Sequence, residues 1–159
     1  MKKFVIIAIL FFAVPAWCQT DVTALAQGST TTVFIAWIAD GSGGVSVTID
    51  RTSPTAENPT GLDLKKALYG LLCVNAETVP GDDPAPLDLY DVVITDGHGW
   101  DVFGGELMNR SSTLAQVRSP VIGAGTGFVY GGFPIRNTWT VTISNAGVGG
   151  SGLLEIVFR

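Results

Sequence analysis

Two cysteines, Cys18 and Cys73, and one histidine, His98, are all that 159 residues offer to soft-metal or imidazole chemistry. Two cysteines make no disulfide framework. Outside the N-terminal apolar segment that holds Cys18, one histidine and the buried-looking Cys73 fall short of the three or four ligands that a zinc site needs. Charge is scarce as well: Asp, Glu, Lys and Arg make up 14% of the chain, against roughly 25% in ordinary soluble proteins. No run of lysine or arginine exists to neutralise phosphates, so no nucleic acid is expected as a partner. No segment carries a sustained helical period, and the longest apolar run, Phe4 to Trp17, is shorter than the roughly 20 residues that a spanning helix requires. No stable membrane span is expected.

That run follows Lys2 and Lys3 and ends in small residues, which is the pattern of a secretory signal. Cleavage after Ala16 or after Cys18 satisfies the preference for small residues equally well, and Trp17 before Cys18 argues against lipidation. The chain therefore divides into residues 1–18, a signal peptide or apolar N-terminal arm, and residues 19–159, a single domain large enough to bury its own core. Of nine basic residues, loss of Lys2 and Lys3 leaves seven against fourteen acidic ones, a net charge of −7. Cys73 lies in the apolar run LLCVNA and reads as a buried thiol rather than a nucleophile.

What is abundant is glycine, twenty in all, and alternation. After a polar lead from Asp21 to Thr30, the stretch TTVFIAWIAD is apolar on both alternating faces and reads as a doubly covered strand. GSGG then leads into VSVTID, where Val45, Val47 and Ile49 face one way, and the pair predicts a hairpin. Arg51 to Gly61 is loop chemistry. Leu64 to Asn75 fits either a helical stripe behind an Asp63 cap or a strand. Gly70 disfavours the helix, so a strand from about Ala67 to Asn75 is expected. ETVPGDDPAPLD reads as a surface connection. Tyr90, Val92 and Ile94 then share a face, Trp100 to Phe103 begin a second extended segment, and TLAQVRSPVI is strand up to Pro120. The glycine-rich Gly123 to Pro134 reads as a loop that a neighbouring subunit would cover. Trp139, Val141 and Ile143, then Leu154, Ile156 and Phe158, predict a C-terminal hairpin. The fold class is all-β: an antiparallel β-sandwich of jelly-roll type with about seven or eight strands.

Few residues carry chemistry. Gly147, Gly149 and Gly152 spell G-x-G-x-x-G, but they link two strands, whereas that motif works only at the start of a helix. No nucleophile elbow frames Ser111 or Ser112. The densest cluster is YDVVITDGHGWDVFGG (Tyr90 to Gly105), which gathers Asp91, Asp96, Asp101, His98 and Trp100. Asp96 and Asp101 are weak calcium candidates, because hard cations want carboxylate oxygens; the same aspartates serve turns by bonding their own backbone. With the glycines, they predict a tight corner at Asp96 to Gly99 with His98 at its exposed tip. Trp37, Trp100, Tyr130, Phe133 and Trp139 would stack on a sugar if exposed together, but their alternating apolar positions favour the core. No catalytic residue and no cofactor is expected.

The segment PLDLYDVVITD (Pro86 to Asp96), followed by Gly99, Asp101-Val102, Gly104-Gly105 and Asn109-Arg110-Ser111, resembles small virion structural proteins of tailed bacteriophages. There a P-x-x-x-YD-V-x-[IL]-T-D stretch precedes G-x-DV, a glycine pair and N-R-S. The ending TVTISNAG (Thr140 to Gly147) is similar too. The resemblance runs from about Trp37 to the C-terminus and is strongest over Tyr90 to Ser111. It implies a non-enzymatic head, neck or tail subunit, homo-oligomeric or bound to other virion proteins. Such particles assemble in the cytoplasm, so residues 1–18 would then be a retained apolar arm; a cleaved signal would make the protein periplasmic or extracellular. The other reading of the residues is a secreted or periplasmic β-sandwich binding module, adhesin-like or carbohydrate-binding.

Overall fold

A computed structural model describes residues 19–49, 68–122, 129–135 and 138–159. The N-terminal signal-like segment, the loop from Arg51 to Gly61 and residues 123–128 of the glycine-rich loop lie outside these. The described residues contain no helix. The strands are β1 (Gln19–Gln27), β2 (Thr30–Ile38), β3 (Val45–Ile49), β4 (Leu72–Pro80), β5 (Asp91–Thr95), β6 (Gln116–Arg118), β7 (Val121–Ile122), β8 (Val129–Tyr130), β9 (Phe133–Pro134), β10 (Trp139–Ser144) and β11 (Ser151–Phe158). Seven of these have five or more residues. They form a larger antiparallel sheet in the order β1-β2-β11-β4-β6, with β9 also on β4, and a smaller one in the order β3-β10-β5; β7 and β8 pair separately.

The period-2 patterns place the core as expected. Val33, Ile35 and Trp37 of β2 and Leu154, Ile156 and Phe158 of β11 point from the larger sheet, and Val45, Val47, Ile49, Val92, Ile94, Trp139, Val141 and Ile143 point from the smaller one, into a single buried cluster. Three ring contacts join the layers: Trp37 with Tyr90 (centroids 5.6 Å apart), Trp139 with Phe158 (5.7 Å) and Trp139 with Phe133 (6.1 Å). Cys73 is fully buried opposite Phe158, and loss of water around its thiol pushes the pKa up to about 12. It is an unreactive part of the core.

Connectivity departs from the sequence reading. β2 and β3 are not a hairpin, because the GSGG turn carries the chain from one sheet to the other; β10 and β11 are likewise in different sheets, joined across the layers by NAGVGG. Alternation specifies which face of a strand meets the core, and an arch satisfies that as well as a hairpin does. The long hairpin is β1–β2, in what reads as a polar lead. Gln27 pairs with Thr30 around Gly28-Ser29, with Gly28 at φ 64° in the first central position, as a type II′ turn requires. β1 hides its period because its inward residues, Thr20, Val22, Ala24 and Ala26, are small and sit at the sheet edge, half-buried or exposed.

Other elements shift. The strand expected at Ala67 to Asn75 begins at Leu72, after a turn at Leu68 to Gly70, and runs to Pro80, so the first third of the expected surface connection, Glu77 to Pro80, is strand. Trp100 to Phe103 is not a second strand: one bridge, Thr95 to Asp101, is followed by turns. The even positions of β2, Phe34, Ala36 and Ile38, are only half-buried.

Gly152 faces Trp37 directly across β11 and β2. A Cβ there would lie 2.7 Å from the indole and 2.8 Å from the Val79 carbonyl. Gly152→Ala is therefore expected to cost about 1–3 kcal/mol through overpacking. Gly41→Ala, with nothing within 4 Å of its Cβ position, should stay within about 0.5 kcal/mol of the parent. Urea unfolding of the two variants checks the contrast.

Candidate functional site

The cluster from Tyr90 to Ser111 resolves into a strand and the chain that folds back over its free edge. β5 pairs through one edge with β10. Along the other, Val102 N–H donates to the Ile94 carbonyl (2.8 Å), Val92 N–H to Leu107 (3.0 Å), Arg110 N–H to Tyr90 (2.6 Å) and Leu89 N–H to Arg110 (2.9 Å). Residues 101–110 thereby satisfy main-chain groups that an open edge would present to other chains.

The aspartates hold this return path. Asp96 Oδ1 accepts from the backbone N–H of His98 (2.9 Å) and of Trp100 (3.0 Å), and Gly99, at φ 81°, closes the turn by donating to the Asp96 carbonyl. The corner expected at Asp96 to Gly99 is present. His98 stands exposed at its tip, Nδ1 3.5 Å from Asp96 Oδ2. Partial desolvation pushes the Asp96 carboxyl up, but the two N–H groups and the imidazole together hold it below its ordinary pKa. Asp101 accepts from Phe103 N–H (2.9 Å) at one oxygen and Gly105 N–H (2.7 Å) at the other. Asp91 ties together chain remote in sequence, accepting from Asn109 N–H (2.9 Å) and from Asn145 Nδ2 (2.8 Å). Asp88 accepts from Ser112 N–H at 3.1 Å.

Arg110 is the one buried cation among the described residues. Its Nε and Nη2 donate to the Met108 carbonyl (3.1 and 2.9 Å), and Nη1 has no hydrogen-bond partner. Desolvation, and then Arg118, lower its pKa against the opposing pull of Tyr90 and Glu106. The guanidinium locks the turn that returns the chain to Tyr90.

Several sequence candidates do not meet. His98 lies beyond one end of β5, and Ser111 and Ser112 follow Arg110 at the other, a strand length of about 17 Å away. Ser111 Oγ accepts from Thr113 and Leu114 N–H in its own turn. Asp96 and Asp101 each bind the backbone of a different turn, and among the described residues no group of three or more His, Cys, Asp or Glu is placed to hold a metal ion. Trp37 and Trp139 are core, whereas Trp100 is 73% exposed.

One pair escaped sequence reasoning. Glu77 of β4 and Glu155 of β11 stand directly opposite each other on the outer face of the larger sheet, next to Phe34. Burial and then the Glu77 charge raise the Glu155 pKa. Strand register brings them together, and register is invisible in one sequence.

Comparison with protein-family models, with curated proteins and with solved structures finds no match.

Two outcomes follow from these carboxylates. A group with a depressed folded-state pKa stabilises above its unfolded pKa and loses that contribution as pH falls through the folded value. Asp96→Ala should therefore cost about 1 kcal/mol at pH 7, with the difference from the parent shrinking as pH drops below the usual aspartate range. Glu155 has the opposite sign: its contribution is full below the usual glutamate pKa and is lost as pH rises through the raised value. Glu155→Gln should gain about 0.5 kcal/mol at pH 7 by removing a facing like charge, and nothing below the usual glutamate range. Thermal melts across pH 3 to 7 read both.

Proposed function

We propose that the chain is a non-enzymatic structural subunit of a tailed-phage particle, in the head, neck or tail, working through subunit–subunit contacts. The observation that carries this reading is the role of the stretch that resembles virion proteins. From Tyr90 to Ser111 its aspartates and Arg110 hold backbone groups, so the segment with the densest polar side chains acts as scaffold. Support also comes from large apolar side chains left open on loops, Leu87, Leu89, Leu114 and Val148 among them, which a neighbouring subunit would cover. The partners on this reading are further copies of the chain or other virion proteins. The location is the virion, or the periplasm or exterior where residues 1–18 are removed as a signal. Among the described residues no helix is long and apolar enough to cross a membrane.

A secreted sugar-binding or adhesin-like module is the second reading, favoured by Trp100 and Tyr69, 73% and 74% exposed at the end of the sandwich away from the Asp82–Asp88 loop.

Purified particles from the source phage should contain the chain at fixed stoichiometry by quantitative mass spectrometry. The isolated full-length protein should form oligomers or co-assemble with virion proteins in size-exclusion chromatography with light scattering. A strict monomer absent from particles and retained on a glycan column in a Trp100-dependent way would replace this reading with the second.

A further inference from the structure

The loops at one end of the sandwich present apolar side chains from a rigid base. Leu87, Leu89 and Val148 are 62%, 59% and 70% exposed, yet the loops that carry them are tightly packed on each other. Leu87 N–H donates to the Ala146 carbonyl at 2.8 Å, and both the Ser151 N–H and hydroxyl donate to the Pro84 carbonyl (3.1 and 2.9 Å). A Cβ on Gly147 would come within 2.8 Å of Leu87 Cγ, and one on Gly150 within 3.0 Å of Pro86 Cα. Contact at that range needs glycine on one side, so the exposure of Leu87 and Val148 is not looseness.

Leu89 adds a second observation. Its φ is 64°, a left-handed conformation that a bulky side chain rarely adopts and that persists only where the surroundings impose it. The Leu89–Arg110 and Arg110–Tyr90 hydrogen bonds impose it here, and the result is a leucine directed to solvent.

Charge selects the occupant. Asp82, Asp83 and Asp88 are exposed in the same loop, and Asp40 belongs to the adjoining Asp40–Gly44 turn, whose Gly43 lies against Gly147. No described basic side chain is open on this face: Arg110 adjoins Leu89 but is buried with its guanidinium on the Met108 carbonyl, Arg118 lies 3.5 Å from Glu106, and Arg159 lies at the opposite pole, beyond β11. A second copy presenting the same face would set carboxylate against carboxylate, which disfavours a two-fold contact here.

We propose that the 81–90 and 145–150 loops form a docking face for a basic polypeptide surface with an apolar centre, which covers Leu87, Leu89 and Val148 while its lysines or arginines meet the neighbouring aspartates. This rests on the structural-subunit reading for its biological setting, though not for its chemistry.

Two experiments on the full-length protein test it. The first titrates a synthetic amphipathic lysine–leucine peptide, with a glutamate–leucine counterpart as control, into protein with labelled Leu and Val methyl groups. The methyl resonances of Leu87, Leu89 and Val148 should shift with the lysine peptide and stay fixed with the glutamate one. Asp82→Asn/Asp83→Asn and, separately, Leu87→Ser should each weaken binding about tenfold without lowering the melting temperature. Shifts centred on Trp100 or on the outer sheet face, or equal binding of the two peptides, would overturn the proposal. The second places a photo-crosslinking residue at position 89 in assembled particles, where a basic virion polypeptide should be captured. Peptide binding at the loops by a chain absent from particles would remove the virion reading and leave the docking face standing. A chain present in particles whose position 89 captures nothing, or only another copy of itself, would do the reverse.

Discussion

Aromatic rings hold the two layers together. Each sheet is bound internally by backbone ladders, but β2 to β3, β4 to β5 and β10 to β11 all pass from one sheet to the other, so the union of the sheets rests on side chains. At the end nearer the Asp82–Asp88 loop, Trp37 reaches from β2 to Tyr90; at the other end Trp139 reaches from β10 to Phe158 and Phe133. Burying one such ring contributes roughly 4–6 kcal/mol of transfer free energy as an upper estimate, and edge or tilted ring pairs add about 1 kcal/mol beyond area. That is enough to offset Trp139 Nε1, which is buried without a hydrogen-bond partner at a cost of about 1–3 kcal/mol. Gly152 belongs to the same arrangement, since its missing side chain is the space in which the Trp37 indole lies.

The crossings also fix how the sheets form. The central pairing of the larger sheet, β2 with β11, joins Thr31 to Phe158 and Ile38 to Ser151, residues more than a hundred positions apart. The smaller sheet has no local pairing at all, because β10 binds β3 on one side and β5 on the other. Among the described residues, consecutive strands pair only in β1–β2 and in the two-residue β7–β8. Loop-closure entropy is therefore met before most contacts form, which places the chain among slow, non-local folders. Such chains expose strand edges during folding, and here residues 101–110 close one of them by folding back on β5 within a short span of sequence.

This explains what was legible in the sequence. The inward faces of β3, β5, β10 and β11 are apolar at every second residue, and each faces the core as its period indicates, so the all-β class and the identity of the core were readable. Partners were not, because Val45-Val47-Ile49 carries the same pattern whether the preceding turn makes a hairpin or an arch. β1 was obscured by small residues on a half-covered edge. The start of β4 was obscured by Gly70 and Leu71, whose spacing suits two periods at once. The Asp96 corner was legible because every bond in it spans four residues or fewer. The Asp91–Asn145 bond spans 54 residues and depends on β5 lying beside β10, as the Glu77–Glu155 pair depends on β4 lying beside β11.

Those two placements of carboxylates give the outer sheet face and the loop end different prospects as contact surfaces. On the sheet face Glu77 and Glu155 sit among half-buried apolar neighbours such as Phe34, Leu153 and Val157. A subunit laid over them would have to desolvate two like charges with no cation supplied from the same face by β2, β4 or β11. Ionised, the pair therefore works against stacking of this face, which also carries Thr23, Thr32 and Asn75, on another surface. At the loop end the side chains of Leu87 and Val148 stand beyond the packed backbone, and the aspartates beside them are exposed. A partner can cover the apolar tips there while those carboxylates keep water or gain a cation. The same composition, low in charge and acidic, thus discourages contact on one surface and favours a basic partner on the other, according to whether the charge lies inside the apolar patch or beside it.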